Sequence, residues 1–265
     1  MTQDKMKKAI LVTSFGTSYE QTRKLNIDAV ENCIKEHFPG YEIRRAFTSE
    51  MVMKVLKKRD GIMVDSPTEA LRKLKEEGYT HVVLQPLHII CGYEYHDVLR
   101  ETAPFQDEFE KLVVGNPLLT TIDDYKSVAE ALKNQIYELE DQEAVVFMGH
   151  GTDHPINAAY ACIQYVFEDL DMKNVFVGTV EGYPEIDSVI KKLQEKNIRK
   201  VTLMPLMLVA GDHTVNDMAG DEEDSWKCIL QKEGFEVDTY IHGLGENVEI
   251  QKIYLEHTKE AVEKL

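Results

Sequence analysis

The sequence predicts an α/β fold made of two similar lobes, each a parallel sheet flanked by helices, with the active-site cleft between them. Short apolar, β-branched runs alternate with amphipathic stretches along the whole chain, which is the pattern of a parallel sheet covered by helices. The two halves also resemble each other, and polar residues directly follow several of the apolar runs.

The apolar runs predict eight strands, at residues 9–14, 42–46, 81–87, 111–114, 144–148, 174–180, 200–209 and 237–242. Amphipathic helical segments are predicted at 21–37, 66–77, 122–137, 186–196 and 224–232, with a last helix at 248–265. Ser66 before Pro67 and Thr121 before Ile122 are typical residues for a helix start. The strand–helix alternation therefore favours parallel pairing in both halves.

An internal repeat divides the chain. Residues 10–18 match 145–153, and residues 85–94 match 204–213. This predicts an N-terminal lobe at 1–120 and a C-terminal lobe at 121–245, while the terminal helix within 246–265 can pack on the first lobe or on the second. Chance similarity of two βα units is the alternative.

The composition excludes several classes of protein. The net charge of −17 argues against nucleic acid and anionic membranes as partners. The four cysteines are far apart, which favours neither a disulfide framework nor a zinc knuckle. No apolar run is long enough for a membrane span, and the N-terminal residues lack the core of a signal peptide, so we expect a cytoplasmic protein.

Three polar residues follow apolar runs in the second half, namely His150, Glu181 and His213. Ligands of open parallel sheets bind beyond the carboxyl ends of the strands, so we expect these side chains at one sheet edge. Two imidazoles and one carboxylate suit cobalt, nickel, iron or zinc. Taken singly, each histidine can be a structural residue and the glutamate a solvated one.

The first half is different at the equivalent positions. Phe15 stands where the second half has His150, and Glu94 stands where it has His213. Together with Tyr93 and Tyr95, Phe15 offers aromatic faces on which a flat macrocycle can stack while Glu94 reaches its centre. Ordinary packing of these aromatic residues is the alternative.

The chain resembles the anaerobic sirohydrochlorin cobaltochelatase family of class II chelatases, relatives of ferrochelatase. The matching stretches are AILVTSFGTSY at 9–19, RAFTSEM at 45–51, RDGIMVDSP at 59–67, LQPLHIICGYEY at 84–95, VVFMGHG at 145–151, EGYPEID at 181–187 and LMPLMLVAGDHTVNDMAGDEEDSWK at 203–227. They cover nearly the whole chain in family order. The resemblance implies a two-lobed chelatase fold with the tetrapyrrole between the lobes.

The resemblance also implies roles for single residues. His150, Glu181 and His213 correspond to the metal ligands, and His150 and Glu94 to the catalytic residues that take up pyrrole protons. The implied reaction inserts Co²⁺ into sirohydrochlorin or precorrin-2 in anaerobic cobalamin biosynthesis, with no cofactor beyond the substrate metal. Iron or nickel insertion into a related tetrapyrrole, and a non-catalytic tetrapyrrole or metal carrier, are the alternatives. A homo-oligomer is possible.

The implied substrate carries many carboxylates, whereas the protein is acidic. Arg44, Arg45, Lys54 and Arg59 cluster after the second strand, and Arg45 is the predicted carboxylate anchor because arginine binds carboxylates bidentately. A solvated charged face is the alternative. Ser14 can hydrogen-bond a substrate carboxylate or simply shape its loop, and Phe15 and Tyr93 complete the predicted substrate-binding set. Asp217, four residues after His213, has a spacing that permits it to orient that histidine.

Overall fold

Two four-stranded parallel sheets organise the structure, a computed structural model that describes residues 6–265. The first sheet has the order β2-β1-β3-β4, with β1 (Lys8–Ser14), β2 (Glu42–Phe47), β3 (His81–Pro86) and β4 (Lys111–Val114). The second sheet has the order β6-β5-β7-β8, with β5 (Glu143–Gly149), β6 (Val175–Thr179), β7 (Lys200–Pro205) and β8 (Glu236–Thr239). All strand pairs are parallel, and the central strands are almost wholly buried, as expected when helices cover both faces.

The helices lie between the strands in chain order. They are α1 (Glu20–Thr22), which continues through a π-helical segment (Arg23–Asp28) into α2 (Ala29–His37), then α3 (Glu50–Asp60), α4 (Pro67–Glu76), α5 (Tyr93–Thr102), α6 (Ile122–Lys133), α7 (Ala158–Asp169), α8 (Ile186–Glu195), α9 (Trp226–Lys232) and α10 (Val248–Val262). Across residues 6–265, no helix combines the length and the apolar character needed to span a bilayer.

The chain forms two compact units. Unit 1 contains the described residues up to Thr120 together with Gln251–Leu265, and unit 2 contains Thr121–Ile250. Most of α10 therefore belongs to unit 1, where the buried Tyr254 hydroxyl donates to the carbonyl of Leu87 at 3.0 Å. The predicted α/β class with two similar lobes is confirmed.

The internal repeat extends to individual backbone hydrogen bonds. In unit 1 the amide of Thr48 donates to the carbonyl of Ser14 at 2.9 Å, and in unit 2 the amide of Val180 donates to the carbonyl of Gly149 at 3.1 Å. The amides of Ser49 and Glu181 likewise donate to the carbonyls of Phe15 and His150 at 3.3 and 2.8 Å. Equivalent residues therefore occupy equivalent places at the carboxyl ends of the two sheets.

Local sequence signals account for several helix starts. Ser66 and Glu69 form a capping box at α4, and Thr121 and Asp124 form one at α6, so the orphan amides of each first turn have side-chain partners. Both starts agree with the sequence prediction.

Other boundaries differ from the prediction. The strand predicted at 200–209 ends at Pro205, because proline cannot donate to the ladder, and the last strand is Glu236–Thr239 rather than 237–242. The sequence patterns also did not single out α3, α5 or α7. Of these, α3 buries only Leu56 fully, and α7 is apolar around most of its circumference, so neither shows a clear amphipathic stripe.

Candidate metal centre

The three predicted ligands lie together at the carboxyl edge of the second sheet. His150 follows β5, Glu181 lies in the loop after β6, and His213 follows the loop after β7, so they come from three neighbouring strands. One ligand atom from each residue lies within 4.8 Å of the other two. The side chains are 46%, 60% and 38% exposed respectively, which leaves the cluster accessible to a metal and to a larger substrate.

The hydrogen bonds of the two histidines define which ring nitrogen carries the proton. Nδ1 of His150 lies 2.9 Å from the carbonyl oxygen of Gly151, and Nδ1 of His213 lies 2.5 Å from a carboxylate oxygen of Asp217. A carbonyl or a carboxylate only accepts, so each Nδ1 carries the proton and donates. Each Nε2 therefore keeps its lone pair, the arrangement found in histidines that bind metals.

The rings themselves are held close to each other. Their centroids are 4.6 Å apart and the ring planes are nearly perpendicular, at 88°. Asp217 lies in the π-helical segment Thr214–Met218, directly after His213. Such π-helical turns are rare and are often found at functional sites, and this one carries the carboxylate that hydrogen-bonds to Nδ1 of His213.

The loop that carries His150 turns sharply at Gly151, whose φ is +82°. A Cβ at this position would lie 2.8 Å from the amide nitrogen of Gly182 and 2.9 Å from the carbonyl carbon of Glu181. Only glycine combines this backbone conformation with such a close approach. The sequence Gly-His-Gly therefore brings the loop after β5 into backbone contact with the loop that carries Glu181.

The side chain of Tyr160 packs against the same turn. Its hydroxyl accepts a hydrogen bond from the amide of Gly151 at 3.3 Å, and its ring packs against Gly149, where a Cβ would lie 2.2 Å away. Burial raises the pKa of this phenol. The backbone on both sides of His150 is thus fixed by a buried aromatic residue.

The predicted substrate-binding residues lie in unit 1. Phe15 and Tyr93 are exposed, while the hydroxyl of Ser14 is buried and has no hydrogen-bond partner within the described part of the chain. Glu94 lies exposed in the first turn of α5 and accepts a hydrogen bond from the Thr48 hydroxyl at 2.9 Å. Tyr95 is half-buried, which raises the pKa of its phenol, and its hydroxyl donates to the carbonyl of Gly115.

The basic residues predicted to bind substrate carboxylates already have partners. The guanidinium of Arg45 forms ion pairs with Asp28 and Glu31, and that of Arg44 pairs with Glu42 and Glu77. The remaining pairs are Lys54 with Glu50 and Arg59 with Asp60. Since the Arg45 fork is occupied by two carboxylates of the protein itself, we do not carry Arg45 forward as a substrate anchor.

Comparison with known proteins places this site in a family. A family model described as cobalt chelatase (CbiK) matches residues 8–263. The chain belongs to this family. The sirohydrochlorin cobaltochelatase of Salmonella typhimurium is 44% identical over 257 residues, covering 97% of both chains. Sirohydrochlorin cobaltochelatase CbiKC of Nitratidesulfovibrio vulgaris is 35% identical over 266 residues, covering 98% of this chain and 92% of its own.

Two solved structures share the fold of this cobalt chelatase family member. SirB from Bacillus subtilis with Fe³⁺ has a TM-score of 0.64 at 17% identity and covers 97% of this chain and 96% of its own. CbiX, described as the terminal enzyme for biosynthesis of siroheme in denitrifying bacteria, has a TM-score of 0.58 at 16% identity, covering 96% and 99% respectively. The resemblance stated from the sequence motifs is therefore confirmed.

Sequence reasoning missed some residues that shape the site. Tyr160 and Asn157 contact the ligand loops but lie at the start of α7, which carries no catalytic motif. Asn157 ends the short 3₁₀ turn Pro155–Asn157 before α7, and nothing in the local sequence reveals that its carboxamide points to neighbouring loops. Such contacts depend on how the loops pack, which local patterns do not specify.

Proposed function

We propose that this protein is a sirohydrochlorin cobaltochelatase, a lyase that inserts Co²⁺ into sirohydrochlorin with release of two protons, in anaerobic cobalamin biosynthesis. The observation that carries the proposal is the cluster of His150, Glu181 and His213, whose ligand atoms lie within 4.8 Å of one another. Two relatives that match nearly the whole chain bear that name.

The metal is a substrate in this reaction, and the ligand set fits that role. The Nε2 atoms of His150 and His213 are borderline ligands and the carboxylate of Glu181 is a hard one, a combination that accepts Co²⁺. Since residues 6–265 add neither a thiolate nor a fourth protein ligand to the cluster, positions remain for the incoming ring nitrogens. We infer that tetrapyrrole nitrogens replace the protein ligands one after another.

Two pyrrole N–H protons must leave as one divalent metal enters, so the reaction needs proton acceptors. His150 is one, because its Nε2 regains a free lone pair as the metal moves to the macrocycle. Glu94 is the second, and its hydrogen bond from Thr48 leaves the other carboxylate oxygen free of that contact. The exposed aromatic residues Phe15 and Tyr93 offer faces for stacking, whereas the Ser14 hydroxyl is buried and we do not carry it forward as a substrate contact.

The test is a spectrophotometric assay with Co²⁺ and sirohydrochlorin, in which the change in absorbance is compared with the rate without enzyme. We expect His150→Ala and His213→Ala to lose most of the insertion activity, and Glu94→Gln to lower kcat more than it changes KM. His242→Ala is the matched control, because His242 also pairs with a carboxylate four residues later, Glu246, at 2.7 Å. Turnover at the wild-type rate in His150→Ala would contradict the proposal.

The same assay separates the proposal from a carrier and from other metals. Tight binding of both substrates without acceleration would identify a non-catalytic carrier. Parallel reactions with Fe²⁺ and Ni²⁺ test the choice of cobalt, since the ligand set alone accepts all three metals. We also propose that the protein acts in the cytoplasm and needs no cofactor beyond the substrate metal; cell fractionation and activity of the metal-free protein with added Co²⁺ test these points.

A further inference from the structure

We propose that Asn157 is a positioning residue that fixes the spacing between His150 and Glu181 by clamping together the two loops that carry them. The inference rests on the ligand roles proposed above. It concerns a side chain that has no place in the ligand cluster itself and that lies seven residues after His150 along the chain.

The carboxamide of Asn157 bridges the two loops with both of its polar atoms. Its Oδ1 accepts a hydrogen bond from the amide of Thr152 at 3.0 Å, in the loop after β5. Its Nδ2 donates to the carbonyl of Tyr183 at 2.6 Å, in the loop after β6. Exchanging the oxygen and the nitrogen would set donor against donor and acceptor against acceptor, so the bridge has only one workable orientation.

The side chain has no capping role in the helix that follows it. Asn157 ends the 3₁₀ turn Pro155–Asn157, which runs directly into α7, and its own backbone is helical, with φ −54° and ψ −22°. The cap of this turn is His154, whose Nδ1 accepts a hydrogen bond from the amide of Ile156 at 3.1 Å. The hydrogen bonds of the Asn157 carboxamide therefore go to the two ligand loops.

The loops are packed so closely that the clamp controls their spacing. A Cβ on Gly182 would lie 2.5 Å from Oδ1 of Asn157 and 3.0 Å from the amide nitrogen of Thr152. The next residue back along the chain from Gly182 is Glu181, whose amide donates to the carbonyl of His150 at 2.8 Å. A change in the length or polarity of residue 157 must therefore move the backbone that carries Glu181 relative to the backbone that carries His150.

The internal repeat supplies a comparison within the same chain. The backbone hydrogen bonds that join the two loops in unit 2 have counterparts in unit 1, where Phe15 and Ser49 replace His150 and Glu181. When the offset of 135 residues between 10–18 and 145–153 is continued, Thr22 corresponds to Asn157, and its shorter side chain lacks the separate donor and acceptor of a carboxamide. The carboxamide bridge thus accompanies the metal ligands and is not required for the fold that both units share.

The experiment compares Asn157→Leu with Gln164→Met. Gln164 is a suitable control because its carboxamide also accepts from an amide, that of Val177, and donates to a carbonyl, that of Val175, in addition to a hydrogen bond to the carboxylate of Glu168. Gln164 lies in the same helix but joins it to the interior of β6, away from the ligand loops. Both variants replace a bridging carboxamide with an apolar side chain of similar length, and both are studied at a temperature at which they are fully folded.

Two readouts distinguish a positioning role from a structural one. The Kd for Co²⁺ and the visible absorption spectrum of the bound Co²⁺ report ligand geometry, and the KM values for Co²⁺ and for the tetrapyrrole are measured separately. We expect Asn157→Leu to raise the Kd and the KM for Co²⁺ by about 10–100-fold, to change the Co²⁺ spectrum, and to leave the KM for the tetrapyrrole unchanged. We expect Gln164→Met to lower Tm without changing either metal constant.

The wild type and His213→Ala complete the set. If His213→Ala binds Co²⁺ as tightly as the wild type does, the proposed ligand set is wrong, and the role of Asn157 fails with it. If His213→Ala loses binding but Asn157→Leu keeps the wild-type Kd and spectrum, or changes the Kd no more than Gln164→Met does, the ligand set stands and the positioning role is refuted.

Discussion

His213 and Asp217 illustrate how one side chain prepares another for metal binding. The Asp217 carboxylate accepts a hydrogen bond from Nδ1 of His213, with 2.5 Å between the nitrogen and the oxygen, and so fixes both the tautomer and the rotation of the ring. His150 obtains the same result from a backbone carbonyl, that of Gly151, which requires no second functional residue. At the residue scale, each of the two histidines is oriented by an acceptor close to it in sequence, Gly151 for His150 and Asp217 for His213.

Arg45 gives a first prediction at this scale. Its side chain is 27% exposed and that of its partner Glu31 is 14% exposed, so Arg45→Gln leaves a largely buried carboxylate without its counter-ion. Burial already raises the pKa of Glu31. We expect the free energy of unfolding at pH 7 to fall by about 1–3 kcal/mol in urea denaturation, with the KM for the tetrapyrrole unchanged. A raised KM at unchanged stability would restore Arg45 as a substrate anchor.

His88 gives a prediction about pH. Neither ring nitrogen of His88 has a hydrogen-bond partner among the described residues, and burial lowers the pKa of the ring from 6.5 to about 4. An unfolded His88 takes up a proton as the pH falls through 6.5, whereas the folded one resists until about pH 4. The folded state therefore loses stability over this interval, by on the order of 3 kcal/mol in total.

The matched variant for this prediction is His88→Met, because Met207 stands at the equivalent position of unit 2. We expect its free energy of unfolding to depend less on pH than that of the wild type between pH 6.5 and about 4. Denaturant unfolding of both proteins across this range measures the difference. Parallel pH profiles would show that the His88 ring is protonated in the folded protein as easily as in the unfolded chain.

At the scale of elements, the parallel sheet brings the ligands together and the loops fix their distances. The order β6-β5-β7 makes the three ligand-bearing strands neighbours, so residues separated by 31 and 32 positions along the chain meet at one edge. The final spacing depends on loops that touch through their backbones, and this requires glycine at positions 151 and 182. A strand order alone would leave the ligands near each other without a defined geometry.

Gly151→Ala tests this dependence on loop contact. A methyl group there meets the backbone of the Glu181 loop within 3 Å, in addition to the cost of an alanine at positive φ. Gly234→Ala is the control, because Gly234 has a φ of +92° but nothing within 4 Å of the added Cβ. We expect both to lose about 1 kcal/mol or more of stability, but only Gly151→Ala to weaken Co²⁺ binding, by about tenfold or more in a titration. Equal Co²⁺ affinities in the two variants would argue against a fixed loop spacing.

At the scale of the whole molecule, two copies of one topology have diverged in chemistry. Equivalent positions carry His150 and Phe15 after the first strand of each sheet, and His213 and Glu94 after the third. The hydrogen bonds that shape the loops are retained in both units, whereas the side chains that they present differ. The repeat thus separates what the fold requires from what the chemistry requires.

Helix α10 brings the last residues of the chain into unit 1, and this gives a prediction about the contribution of that segment to stability. The hydroxyl of Tyr254, which is fully buried, donates to the carbonyls of Leu87 and His88 in unit 1 at 3.0 and 3.4 Å. We expect Tyr254→Phe to lower the free energy of unfolding by about 1–2 kcal/mol while the Kd for Co²⁺ stays unchanged. Tyr165→Phe, at an exposed tyrosine, should change stability by less than about 0.5 kcal/mol. Equal stability of the two variants in chemical denaturation would show that the Tyr254 hydrogen bond contributes nothing.

The sequence by itself determined the fold class, the repeat and the identity of the three clustered side chains. Apolar runs of strand length specify buried parallel strands, and polar residues that end such runs, such as His150, must lie at the edge of the sheet. These properties follow from local patterning, which is written residue by residue in the chain.

Only the tertiary structure decided which partners the polar side chains bind. Arg45 has the right chemistry for a substrate anchor, but Asp28 and Glu31, 17 and 14 residues away, occupy its guanidinium. Asn157 lies in a short helical turn that carries no functional motif, yet its carboxamide joins two loops. Which partner a polar side chain binds depends on how residues distant in sequence pack together. No pattern of neighbouring residues contains that information.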